Sequence, residues 1–111
     1  MSELVKYVDV TDALKRIGGS MDLYKRLLTQ FSSGDYIEPL SEALSTGTFE
    51  EASRTIHSLK GVCANLSLTK LANAAADFEK LVHDGAEYSD YFVELKMIYA
   101  ETVKQISEIL Q

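Results

Sequence analysis

The glycines of this chain divide it into amphipathic segments, and this division restricts the fold more than any other feature. Five of the six glycines fall between segments whose apolar residues recur every three or four positions: Gly18, Gly19, Gly34, Gly47 and Gly85. That recurrence is typical of helices with one buried face, and the alternating pattern of half-buried strands is absent. The sequence therefore predicts an all-α protein.

The N-terminal part of the chain predicts a short helix and then a disturbed one. The short helix runs from about Val10 to Ile17, with Asp9 or Thr11 as its cap. The segment 20–46 carries two apolar stripes that point in roughly opposite directions, and Pro39 removes a backbone donor within it. This pattern fits one kinked helix or two separate ones, and the spacing leaves both open.

The next helix has the most regular pattern in the chain. Thr48 followed by Glu51 predicts a capping box, in which each side chain bonds a free backbone N–H of the other residue. An apolar stripe then recurs at spacings of three and four, which defines an inward face. Its members are Phe49, Ala52, Ile56, Leu59, Cys63 and Leu66.

Two further helices complete the predicted architecture. One follows Ser67, a plausible cap, and ends before Gly85, and the last runs from about Ser89 to Leu110. Short connections between amphipathic helices imply antiparallel neighbours. We therefore expect residues 1–111 to form a single domain, an antiparallel four-helix bundle with a short additional N-terminal helix.

Composition excludes several classes of function. Lys and Arg number 11 against 17 Asp and Glu, and the net charge of −6 opposes nucleic-acid binding. No apolar run approaches the roughly 18 residues of a membrane span. A lone cysteine, Cys63, excludes an internal disulfide, and we expect a cytoplasmic protein that binds neither nucleic acid nor membrane.

The regular helix carries an unusual group of residues on its outward face. Measured from the core stripe at 100° per residue, His57 lies about 140° away, on the solvent side. Arg54, Gly61 and Ala64 share that face, and Lys60 flanks it. Glycine in an exposed helix interior costs about 1 kcal/mol relative to alanine, and no cap explains Gly61. A local rule broken without structural gain indicates a functional site.

These residue types suit phosphoryl transfer. A neutral imidazole at position 57 is nucleophilic near pH 7, and the Lys60 ammonium can reach phosphoryl oxygens as a point charge. The chain has no evident metal cluster and no phosphate-binding loop, so we expect no metal and no cofactor of its own. A metal and the second reacting group would come from a partner.

The run from Arg54 to Gly61, RTIHSLKG, resembles the H-x-L-K-G signature of histidine-containing phosphotransfer (HPt) domains. The similarity extends over nearly the whole chain, from about Asp12 to the last helix. It includes Ala64-Asn65-Leu66, Leu27-Leu28 with Phe31, and Ala43-Leu44, Gly47 and Glu51-Ala52. Two residues depart from the pattern: Ile56 stands where the family often has alanine, and Ser67 where it often has glycine.

The resemblance implies that His57 is phosphorylated on a ring nitrogen, that Lys60 steadies the phosphoryl group and that Gly61 gives access. It implies a phosphorelay intermediate without ATP-dependent kinase activity of its own. The phosphoryl group would come from a receiver aspartate or a sensor histidine kinase and pass to a receiver aspartate, with Mg²⁺ on the partner receiver. We expect a monomer that docks through the surface around His57. The residues expected there are Arg54, Ser58, Ala64 and Asn65, extended by Leu14 and Ile17.

Other interpretations remain open at this point. The bundle could bind a receiver or kinase domain without carrying phosphate, or it could be an acidic structural bundle. His83 is interpreted as a cation at a helix C-terminus and Cys63 as a core residue. Because Cys63 points inward and His57 outward, the two do not share a metal site. A solvated surface is predicted for Glu79, Lys80, Glu101, Lys104 and Glu108.

Overall fold

The computed structural model describes residues 6–111, and all the regular structure within them is helical. The helices are α1 (Val10–Arg16), α2 (Met21–Ser33), α3 (Ile37–Thr46), α4 (Phe49–Asn65), α5 (Thr69–His83) and α6 (Ser89–Leu110). The prediction of an all-α protein is confirmed.

The segment that the sequence left open forms two helices, α2 and α3. The Asp35 carboxylate separates them, because its Oδ1 accepts the backbone N–H groups of Ile37 at 2.9 Å and Glu38 at 3.2 Å. Pro39 is the third residue of α3, where a backbone N–H has no partner within the helix. Its missing donor therefore costs α3 nothing, and the chain can change direction between the two helices.

The start of α4 differs from the prediction. Thr48 is the N-cap residue, but its side chain makes no capping hydrogen bond. The Thr48 hydroxyl instead lies 2.6 Å from the Thr46 hydroxyl, so the predicted capping box is wrong. Phe49, the first residue of α4, was predicted in the core stripe, yet it is 46% exposed.

The turn between α4 and α5 is held by contacts to α1 and α2. The backbone of Ser67 is left-handed, with φ of 57°, and its hydroxyl donates to Asp12 Oδ2 at 2.7 Å. Ser67 therefore does not cap α5, contrary to the prediction; its left-handed backbone is a conformation that glycine adopts more easily. The hydrogen bond from Ser67 is the main reason that the pKa of Asp12 lies below its usual value. On the other side of the turn, the buried Tyr24 hydroxyl donates to the Leu66 carbonyl at 2.7 Å.

The helices form a bundle with α4 between α3 and α5, and α6 between α5 and α2, while α1 packs on α2. The pair α2 and α3 thus occupies one of the four sides, and the predicted four-helix bundle with a short N-terminal helix is confirmed. Burial of apolar side chains stabilises this arrangement. The largest fully buried side chains include Tyr24, Leu28, Leu40, Ile56, Leu59, Leu71, Phe78, Leu95 and Ile106.

Candidate functional site

His57 stands at the middle of α4 with its ring in solvent. The side chain is 73% exposed, whereas Ile56 and Leu59 on the same helix are fully buried. The position follows from helix geometry, because residues one turn apart share a face and the core stripe lies on the opposite one. Ile56, the first departure from the family pattern, thus belongs to the core and not to the exposed surface.

A carboxylate from the neighbouring helix holds one edge of this ring. Glu79, on α5, places Oε2 at 3.4 Å from His57 Nδ1 and Oε1 at 2.7 Å from Lys60 Nζ. The Glu79 side chain is only 22% exposed, because it lies in the groove between α4 and α5. The three side chains form one network, which we call the His57–Glu79–Lys60 triad.

The electrostatics of the triad favour a charged carboxylate. The hydrogen bond from Lys60 is the largest of the effects that hold the pKa of Glu79 below its usual value, and His57 acts in the same direction. An ionised carboxylate beside Nδ1 favours the tautomer in which Nδ1 carries the proton. The lone pair of the neutral ring is then on Nε2, which diverges from Glu79 and α5.

The outward face of α4 carries little side-chain bulk in the two turns after His57, and we call this region the low surface. Gly61 lies one turn after His57, is exposed, and has no atom within 4 Å of the position where a Cβ would stand. Its backbone is ordinary helix, so neither strain nor crowding within the described residues requires glycine there. Ala64 is exposed as well and continues the low surface.

Arg54 and Ser58 lie on the α3 side of the outward face of α4. Both are exposed and line a groove of about 770 Å³ between α3 and α4. Arg54 also lines a smaller cleft of about 350 Å³ that reaches His57 and Glu79. Arg54 therefore lies on the part of α4 between the two concave surfaces, and we call this part the crest of α4.

The remaining predicted residues lie toward the α1 end of the bundle. Asn65 is exposed at the last position of α4, about 12 Å along the helix axis from His57. Leu14, on α1, and Ile17, the C-cap residue of α1, are half-buried against the core, and α1 contacts the turn at Ser67. The structure thus places Arg54, Ser58 and Gly61 within about one turn of His57 and Ala64 two turns after it on the same face, with the other three farther along.

Two residues near His57 escaped sequence reasoning. Glu79 was predicted as solvated surface, but it joins His57 and Lys60; Phe49 was predicted as core, but it is exposed and lines the cleft beside His57. The only available signal was the position of Glu79 next to the buried Phe78 on α5, which directs it toward the side of a groove. Periodicity within one helix does not show which residue faces it across that groove.

The other candidate groups are separate from this site. His83 is exposed at the last residue of α5 and lies 3.4 Å from Asp84. Cys63 is buried, and burial raises the pKa of its thiol to about 12. Within residues 6–111, no three His, Cys, Asp or Glu side chains are grouped so that they could hold a metal ion. No helix in this range is long and apolar enough to cross a membrane.

Comparison with known proteins agrees with the site. The family model described as Hpt domain matches residues 26–108, which include the whole triad. Searches of curated proteins and of solved structures gave no match. Hpt domains carry phosphoryl groups on histidine in two-component phosphorelays, are not kinases, and interact with receiver and kinase domains. With three quarters of its 111 residues matched by that model, the chain belongs to the Hpt domain family.

Proposed function

We propose that this protein is a phosphorelay intermediate in which His57 Nε2 receives a phosphoryl group from a receiver aspartate or a sensor kinase and passes it to a receiver aspartate. One observation carries the proposal: an exposed imidazole has its Nδ1 edge against an ionised carboxylate and a low surface at Gly61 beside it. A tautomer with a free Nε2 and an open approach are what an in-line attack on phosphorus requires.

The transfer balances without a proton from outside the site. The Nε2 lone pair attacks the phosphorus of the aspartyl phosphate, the bond between phosphorus and the carboxyl oxygen breaks, and its electron pair leaves with the aspartate. The ring then carries positive charge shared with the proton on Nδ1. Glu79 stabilises that charge from 3.4 Å, and the reverse sequence returns the group to an aspartate.

Lys60 contributes in two ways. One of its three N–H groups donates to Glu79 Oε1 at 2.7 Å, which fixes the carboxylate that faces His57. The other two can donate to phosphoryl oxygens. The metal ion that such a reaction uses would be Mg²⁺ on the receiver. We expect the protein to act as a cytoplasmic monomer through a small transient interface.

The test is transfer of label from a receiver phosphorylated on aspartate. We expect acid-labile, base-stable label on the wild type and on His83→Gln, and no label on His57→Gln. His83 is the matched control because it is also an exposed histidine 3.4 Å from a carboxylate, but it stands at the last residue of α5 and outside the His57–Glu79–Lys60 triad. Label that persists on His57→Gln, or binding of the receiver without any label, contradicts the proposal.

A further inference from the structure

The cation that the sequence assigns to the phosphoryl group is already neutralised in the structure. Lys60 Nζ lies 2.7 Å from Glu79 Oε1, and this carboxylate also faces His57. The charges of Lys60 and Glu79 therefore cancel at the Nδ1 edge of the ring. A phosphoryl group carries a charge of about −2. Lys60, whose charge Glu79 offsets, can donate its two remaining N–H groups to this phosphoryl group without neutralising it, so the group requires a second cation that has no carboxylate partner.

Arg54 meets this requirement. It precedes His57 by three residues, so the two side chains are neighbours on the outward face of α4. Both line the cleft next to Glu79. No carboxylate within residues 6–111 forms an ion pair with Arg54, although Glu50 and Glu51 lie one turn before it.

The direction of the ring also favours Arg54. Lys60 and Glu79 lie on the α5 side of His57, and Nδ1 points to them. Nε2 is on the other side of the ring from the Nδ1 contact to Glu79, and Arg54 and Gly61 are the residues about one turn before and one turn after His57 on the outward face of α4. Because Arg54 and His57 line the same cleft and position 61 has no side chain, an incoming phosphoryl group would find a cation beside it and open space next to it.

We propose that Arg54 donates to the phosphoryl oxygens while the group is on Nε2 and while it moves to or from the receiver aspartate. The planar guanidinium can bind two of these oxygens at once. In this arrangement Lys60 approaches the phosphoryl group from the α5 side and Arg54 from the crest. The inference rests on the function proposed above, and it adds a residue that contacts the transferred group itself.

The experiment compares two phosphoryl donors. A phosphorylated receiver tests docking and chemistry together, whereas phosphoramidate tests chemistry alone, because it docks no protein surface. With phosphoramidate, Nε2 attacks phosphorus, the P–N bond of the donor breaks and ammonia leaves. The variants are Arg54→Gln and Arg54→Lys, with Lys104→Gln as a control that removes an exposed charge from α6, a helix that does not flank α4.

We expect Arg54→Gln to slow labelling of His57 about tenfold to one-hundredfold with both donors, and Lys104→Gln to leave both rates unchanged. Arg54→Lys keeps the charge but loses the two-point contact, so its labelling rates should lie between those of Arg54→Gln and those of the wild type. A wild-type rate of Arg54→Gln with phosphoramidate overturns the inference, since Arg54 then serves docking at most. If neither donor labels the wild type, the proposed function itself is overturned. That result is distinct from the wild-type rate of Arg54→Gln, which overturns only the role of Arg54.

Circular dichroism separates these effects from folding. Arg54 is exposed on a helix surface, and substitutions at such positions leave stability nearly unchanged. We therefore expect the helical spectrum and Tm of Arg54→Gln to match those of Lys104→Gln. A slow variant that has retained its fold supports contact with the phosphoryl group.

Discussion

Replacing Gly61 should change stability and function in opposite directions. A Cβ added at position 61 meets no atom within 4 Å, and the residue lies in the interior of α4 with ordinary helical backbone. Gly61→Ala therefore adds no clash and removes the entropic cost of glycine in a helix. We expect the free energy of unfolding to rise by about 1 kcal/mol. For a chain of 111 residues this corresponds to an increase of about 4 °C in Tm.

The same position should tolerate large side chains structurally but not functionally. Gly61→Lys also extends into open solvent, so it should fold and be slightly more stable than the wild type. Its side chain would stand where a receiver must approach Nε2 of His57. We expect at least a tenfold loss of transfer from a phosphorylated receiver, which corresponds to about 1.4 kcal/mol. Labelling by phosphoramidate, a much smaller donor, should be affected far less.

The assay pairs thermal unfolding by circular dichroism with the rate of labelling by each donor. The matched control is Ala100→Lys, which places the same side chain on the exposed surface of α6 and should transfer at the wild-type rate. A lower Tm for Gly61→Ala would refute the claim that nothing in the fold requires glycine there. Transfer at the wild-type rate by Gly61→Lys would refute the claim that this surface admits the receiver.

Three further predictions follow from the groups beneath and beside the site. Because the pKa of Glu79 is depressed in the folded protein, the carboxylate stabilises the fold above about pH 4.5, and this contribution is lost as pH falls through the lower folded pKa. The free energy of unfolding in urea should therefore fall less between pH 6 and pH 3 for Glu79→Gln than for the wild type. An equal fall in the two proteins would contradict this prediction. Cys63 should resist a thiol reagent at pH 8 until the protein unfolds, since burial raises its pKa to about 12; rapid reaction of the native protein is the opposing result. Tyr24→Phe should lower the free energy of unfolding by about 1–2 kcal/mol, because the Leu66 carbonyl at the end of α4 loses its donor; an unchanged urea midpoint would show that this hydrogen bond does not hold the turn.

Periodicity within each helix predicted the features that depend on one helix alone. The stripe from Ala52 to Cys63 fixes which way α4 faces, and the exposed position of His57 follows from that stripe without knowledge of any neighbour. Thr48 is the N-cap residue of α4 as predicted, although without the capping box, and the helix ends at Asn65, one residue before Leu66, the last member of the stripe. Ile56 was correctly placed in the core despite its departure from the family pattern.

The features that sequence reasoning missed depend on two elements at once. Glu79 meets His57 and Lys60 only because α4 and α5 pack at one particular axial offset, which neither stripe specifies. The hydroxyl of Ser67 found Asp12 on α1 instead of the start of α5, because the turn holds its backbone in a left-handed conformation. Local capping rules consider only the nearest N–H groups, so they overlook acceptors supplied by distant parts of the chain.

The most direct test of the account is nitrogen NMR of the protein labelled with ¹⁵N-histidine, recorded before and after phosphorylation. We predict that His57 is protonated on Nδ1 in its neutral form, that phosphorylation changes the signal of its Nε2, and that His83 keeps its spectrum. Phosphate on Nδ1 of His57, which faces Glu79, or on His83 would contradict the claim that the triad directs Nε2 to the phosphoryl donor.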